Sequence, residues 1–114
     1  MAWVKEASNA TSSASTTCVV TVPTGGFPAG HLVVVGAVAV VSGASNPNLT
    51  VTDSKGNTWI NDRTIAPITG QLTYVVQASS IVTTTLNAGD TITVTGAGNT
   101  PNRIAVTIQE FDDT

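Results

Sequence analysis

Alternation of apolar and polar residues at every second position is the feature that most restricts how this chain folds. Residues 91–95 alternate Ile92 and Val94 with threonine, and residues 103–111 continue the same pattern. A period of two places successive side chains on opposite faces of a β-strand. No stretch carries apolar residues at helical spacing over three turns, so the sequence predicts an all-β chain.

Runs of this kind recur between clusters of turn-forming residues. The predicted strands cover residues 2–5, 17–22, 31–41, 48–53, 58–62, 71–77, 91–95 and 103–111, and residues 81–86 form a short strand or an irregular segment. Residues 54–57 predict a hairpin turn in which Gly56 takes a positive φ. Seven to nine short strands at this spacing predict an antiparallel β-sandwich, Ig-like or jelly-roll-like, or else a small barrel.

The chain length of 114 residues fits one domain. We predict an N-terminal edge strand and flexible arm over residues 1–15 and the β-sandwich domain over residues 16–114. Residues 7–15 are small and polar. They form either a mobile connection or an arm that lies across a neighbouring subunit.

The distribution of charge and the length of the apolar runs argue against two classes of partner, nucleic acid and membrane. Charged residues make up only 10% of the chain, against about 25% in ordinary globular proteins. The four basic residues are scattered, whereas nucleic-acid binding needs them clustered. The longest apolar run, residues 32–41, is too short to span a bilayer. The first residues lack the pattern of a secretory signal, so we expect either a protein made in the cytoplasm or a piece of a larger protein. We expect it to bind neither nucleic acid nor membrane.

Catalytic residue types are scarce. The chain has a single histidine, His31, and a single cysteine, Cys18. One histidine cannot form a two-histidine metal site, and Cys18 lies in an alternating run that predicts burial. Asp53 and Asn57 could supply oxygen ligands to Ca²⁺, but turn chemistry explains both residues without a metal. The sequence predicts no enzymatic activity, no metal and no cofactor.

Two features suggest contact with another molecule. Residues 32–41 are apolar on both faces, which fits either a central strand under loops or a strand whose outer face is covered by another chain. Trp3 and Phe27 are the aromatic residues that we expect to be exposed, whereas Trp59 and Tyr74 are expected in the core. Our candidate interface residues are Trp3, Val4, Phe27, Val33, Val35 and Ala37. Carbohydrate binding would need exposed, coplanar aromatic rings on one face.

Residues 32–41, followed by the sequence Leu-Thr-Val-Thr-Asp-Ser-Lys-Gly-Asn-Thr-Trp at 49–59, resemble a known family. The chain is similar, over about residues 30–111, to the small Ig-like or jelly-roll-like β-sandwich domains of tailed-bacteriophage surface proteins. These include capsid decoration proteins and minor tail proteins. No catalytic residue carries over from that family.

The resemblance implies a virion structural protein made in the host cytoplasm, above all a capsid decoration protein that binds and stabilises the capsid surface. Its expected partners are the major capsid protein or other virion subunits, and we expect a homo-oligomer. The alternative is a phage tail-associated or secreted binding module that recognises host-surface carbohydrate.

Overall fold

A computed structural model describes residues 2–11, 13–41, 46–65, 72–96, 98 and 100–112. Eight strands account for its regular structure: β1 (Ala2–Ala10), β2 (Thr17–Thr21), β3 (Leu32–Val40), β4 (Leu49–Asp53), β5 (Ile60–Ile65), β6 (Thr73–Ile81), β7 (Thr91–Gly96) and β8 (Arg103–Asp112). Within these described ranges there is no helix, and hence none that could cross a membrane.

The strands form two antiparallel sheets. One has five strands in the order β1-β8-β3-β6-β5, and the other has three in the order β2-β7-β4. Apolar side chains from both sheets form one buried cluster between them, as in a two-layer sandwich. The prediction of an all-β antiparallel β-sandwich is therefore confirmed.

Alternation along the strands supplies this core. In β7, Ile92 and Val94 are fully buried while the intervening threonines face outward. In β8, Ile104, Val106 and Ile108 point inward as predicted. Burial of such side chains removes apolar surface from water, at about 25 cal/mol per Å².

The N-terminal strand is longer than predicted. It pairs with β8 from Ala2 through Ala10, with a bulge at Val4 between Trp3 and Lys5. The side-chain amide of Asn9 also donates to the backbone carbonyl of Val19 in the other sheet. Residues 7–10 therefore belong to the five-stranded sheet and not to a flexible arm, because even small polar residues complete a backbone ladder beside a strongly patterned strand.

The segment between β4 and β5 is not the predicted hairpin. β4 lies in the three-stranded sheet and β5 in the five-stranded sheet, so the turn crosses between the layers. Gly56 does take the predicted positive φ of 74°. The Asp53 carboxylate accepts from the backbone amides of Lys55 and Asn57 through Oδ1, and from the Trp59 indole nitrogen through Oδ2. These hydrogen bonds are the Asx chemistry expected of this turn.

Leu72 and residues 82–86 lie on either side of β6. Leu72 precedes β6 and is exposed, whereas Tyr74 and Val76 are buried. Of the two alternatives predicted for residues 81–86, the irregular segment is confirmed. Ile81 ends β6, and Leu86 makes an isolated bridge to Phe27.

Candidate functional site

The outer face of the five-stranded sheet carries most of the exposed apolar side chains of the described chain. The described residues include nine large apolar side chains that are exposed, and six of them lie on this face: Trp3, Val38, Val40, Ile60, Ile65 and Ile81. Trp3 is 56% exposed and Ile60 is 61% exposed. A concentration of exposed apolar side chains on one face marks interaction sites in soluble proteins.

The strand register arranges the outer face in rows, because paired residues in neighbouring strands lie side by side on the same face. The row that we call the Trp3 row consists of Trp3, Phe111, Leu32 and Ile81. The Val38 row consists of Ala10, Ala105, Val38, Val75 and Ile65. Both rows are entirely apolar.

Two rows that contain both polar and apolar residues separate these apolar rows. The Val34 row consists of Glu6, Gln109, Val34, Ser79 and Ile60. The Gly36 row consists of Ser8, Thr107, Gly36, Gln77 and Arg63. An apolar surface is thus crossed by a band of amide and hydroxyl groups, with one charge at each edge of the sheet.

A shallow depression lies at the centre of the outer face because Gly36 has no side chain. Val34, Val75, Gln77, Thr107 and Gln109 contribute to its lining. A methyl group placed on Gly36 would approach the Thr107 hydroxyl to 3.2 Å. The depression therefore combines apolar walls with two amides and a hydroxyl that can donate or accept hydrogen bonds.

The outer face of the three-stranded sheet is different. Its register brings together one valine and seven threonines: Thr17, Val19, Thr21, Thr50, Thr52, Thr91, Thr93 and Thr95. Threonine suits a solvated strand face, because its branched carbon fits the pleat while its hydroxyl meets water. The contrast makes the five-stranded sheet the candidate interaction surface.

A charged cluster lies at one end of the sandwich, on the inner side of β1 and β8. The Glu110 side chain is fully buried, with Oε1 3.2 Å from Lys5 Nζ and Oε2 2.6 Å from His31 Nδ1. His31 Nε2 lies 3.7 Å from Asp112 Oδ1. Lys5 Nζ also lies 5.9 Å from the centre of the Phe27 ring.

This cluster is built to hold structure together. Both ring nitrogens of His31 face carboxylates, Nδ1 toward Glu110 and Nε2 toward Asp112, so neither is directed at a nucleophile. Cys18 lies in the core at 2% exposure. Burial raises the pKa of the Cys18 thiol, and so lowers its thiolate fraction. No three His, Cys, Asp or Glu side chains in the described ranges are placed to hold a metal ion.

The predicted interface residues divide into two groups. Trp3 and Val4 are exposed, and Trp3 lies on the outer face. The other four are core residues with 0% exposure: Phe27, Val33, Val35 and Ala37. These four cannot contact a partner without opening the core, so this part of the prediction was wrong.

The error concerns which face of β3 points outward. Both faces are apolar, and the sequence pattern does not say which one meets the second sheet. Register with β6 and β8 places the odd-numbered residues inward and Val34, Gly36 and Val38 outward. The prediction also missed Ile60, Ile65 and Ile81, whose exposure depends on pairing between strands distant in sequence.

Trp3 and Trp59 do not form an aromatic platform. Trp59 packs against the core and donates its indole N–H to Asp53, 2.7 Å away. Trp3 lies on the outer face beside half-buried Phe111.

Comparison of the chain with models of protein families, with curated proteins and with solved structures found no match. The resemblance to phage surface domains therefore stays a prediction.

Proposed function

We propose that this chain is a non-enzymatic structural protein of a virion surface, a capsid decoration protein that uses the outer face as its assembly surface. One observation carries the proposal: exposed apolar side chains are concentrated on the outer face, while the opposite sheet presents threonine. Covering the Trp3 and Val38 rows with another protein surface would remove this apolar area from water.

The low charge of the chain supports the same proposal. A net charge of −3 over 114 residues produces little repulsion between copies packed closely on a lattice. Among the described residues, the strand register places the charged side chains of Glu6, Arg63 and Arg103 on the outer face, all toward the margins of the sheet. Charged residues are depleted from the cores of protein–protein interfaces, so this placement suits an assembly surface.

Co-sedimentation with capsids tests the proposal. The capsids are assembled from the major capsid protein encoded in the same genome, and three forms of the chain are compared: wild type, Val38→Lys and Val19→Lys. Val38 is 38% exposed on the outer face, and Val19 is 41% exposed on the threonine face. The two substitutions therefore add the same charge at similar exposure on opposite sides of the molecule.

We expect wild type and Val19→Lys to sediment with capsids and Val38→Lys to stay in the supernatant. Equal binding of both variants would show that the outer face is not the assembly surface. Absence of wild-type binding would refute the decoration role.

Carbohydrate binding is the second candidate, and the depression at Gly36 favours it. Gln77, Gln109 and Thr107 offer hydrogen-bonding groups there, on the same face as exposed Trp3. On a glycan array, Trp3→Ala and Gln77→Ala should each abolish binding if this function is correct. The matched Trp59→Ala variant would lose stability but keep the glycan contacts, because Trp59 lies away from this face.

A further inference from the structure

We propose that the outer face pairs with the outer face of a second copy of the chain, in a dimer whose twofold axis runs along β3 between the two sheets. This inference rests on the proposed role of the outer face in assembly, and it identifies the molecule that covers this face as a second copy of the chain. Three properties of the face support a second copy: its size, the order of its rows and the position of its charges.

The size of the outer face is close to what a stable dimer needs. Five strands about 4.8 Å apart and nine residues rising about 3.3 Å each span roughly 24 Å by 30 Å. The flat area is therefore about 700 Å², and a specific interface buries about 800 Å² on each partner. Two such sheets can pack face to face with their strands nearly aligned.

The row order makes the face complementary to itself. A twofold axis along β3 places β1 of one protomer over β5 of its partner, and each row over the same row of the other copy. In the Val38 row, Ala10 then faces the partner's Ile65, and Val38 faces the partner's Val38. At the ends of this row a small side chain thus lies opposite a large one, which lets the two layers interdigitate.

The charges follow the same symmetry. Glu6 lies on the β1 edge and Arg63 on the β5 edge, in adjacent rows. Within one chain four strand spacings, about 19 Å, separate them, so they cannot pair. Across the twofold axis they lie one row apart, about 6.6 Å along the strand, within reach of long side chains. Each dimer would contain two such pairs at its rim.

Sedimentation velocity over micromolar concentrations tests the inference on the full chain. We expect wild type and Val19→Lys to sediment with twice the 11.5 kDa chain mass. Val38→Lys should be monomeric, with a dimer dissociation constant at least about a hundredfold higher, because the axis brings the two lysines together. A monomeric wild type throughout this range would overturn the inference.

A charge exchange tests the geometry of the dimer. Glu6→Arg and Arg63→Glu should each weaken the dimer roughly tenfold, since each creates two like-charge contacts. The double variant should recover wild-type dimerisation, since both pairs re-form with reversed sign. Failure of the double variant to recover would overturn this arrangement. Thermal melts of the same variants check that each remains folded.

The capsid experiment separates the two proposals. The wild type could be monomeric and still bind capsids, with binding lost in Val38→Lys. This result would support the assembly role and show that the capsid protein, not a second copy, covers the outer face. A dimer that ignores capsids would support the inference and refute decoration.

Discussion

Replacing Asn57 with alanine should destabilise the fold more than its place in a surface turn suggests. Asn57 lies in the crossover between the two sheets and is 8% exposed. Its Oδ1 accepts from the backbone amides of Thr83 and Thr84, at 3.0 and 2.9 Å, and its Nδ2 donates to the Thr84 carbonyl at 3.0 Å. The side chain therefore joins the crossover to a loop distant in sequence.

The magnitude follows from these bonds. Alanine removes three side-chain bonds to backbone at about 1 kcal/mol each, for a total of about 3 kcal/mol. The bond from the Thr83 hydroxyl to Oδ1 is also lost, but Thr83 is exposed, so water replaces this partner. The backbone bond from the Asn57 amide to Asp53 is retained. The unfolding entropy of 114 residues is about 0.24 kcal/mol/K, so the melting temperature should fall by about 12 °C.

Thermal unfolding followed by circular dichroism measures this loss, and Asn61→Ala is the matched control. Asn61 makes one side-chain bond, to the Leu49 carbonyl at 3.2 Å, and its replacement should cost about 1 kcal/mol or less. If Asn57→Ala lowered the melting temperature no more than Asn61→Ala, the crossover would not depend on this side chain.

Three further predictions concern the core and the turns. The Cys18 thiol should stay unreactive toward a disulfide reagent at mildly alkaline pH until denaturant unfolds the chain, because burial raises its pKa; rapid reaction of the native protein would contradict this. Lys5→Met should cost about 2 kcal/mol by leaving the buried Glu110 carboxylate short of positive charge. In urea unfolding, the double variant Lys5→Met/Glu110→Gln should regain at least half of the stability that Lys5→Met loses. Equal losses of stability in the single and the double variant would show that the two side chains are not coupled. Gly30→Ala should cost about 1 kcal/mol for its positive φ alone. Gly26→Ala should cost clearly more, because the new methyl group would also meet a backbone carbonyl oxygen; similar melting temperatures would refute the difference.

The candidate surface was only partly predictable from the sequence. The apolar character of both faces of β3 was visible in the sequence, and β3 is the central strand of its sheet. Trp3 was also correctly expected to be exposed. Phe27 was wrongly expected to be exposed, because its burial depends on the bridge to Leu86, far away in the chain.

Local pattern by itself determined the all-β class, the approximate bounds of most strands, and the buried faces of β2, β7 and β8. It could do so because alternation between apolar and polar residues records, within one strand, which side chains face the core. The positive φ of Gly56 and the turn chemistry of Asp53 were likewise local properties.

Only the tertiary structure decided which face of β3 meets the second sheet, that β4 and β5 belong to different sheets, and that β1 continues to Ala10. A strand that is apolar on both sides carries no signal for its orientation, and a turn sequence suits a hairpin or a crossover equally well. Pairing between distant strands resolves each case, because it fixes the register. The register in turn assembles Trp3, Val38, Ile65 and Ile81 into one surface that no local segment contains.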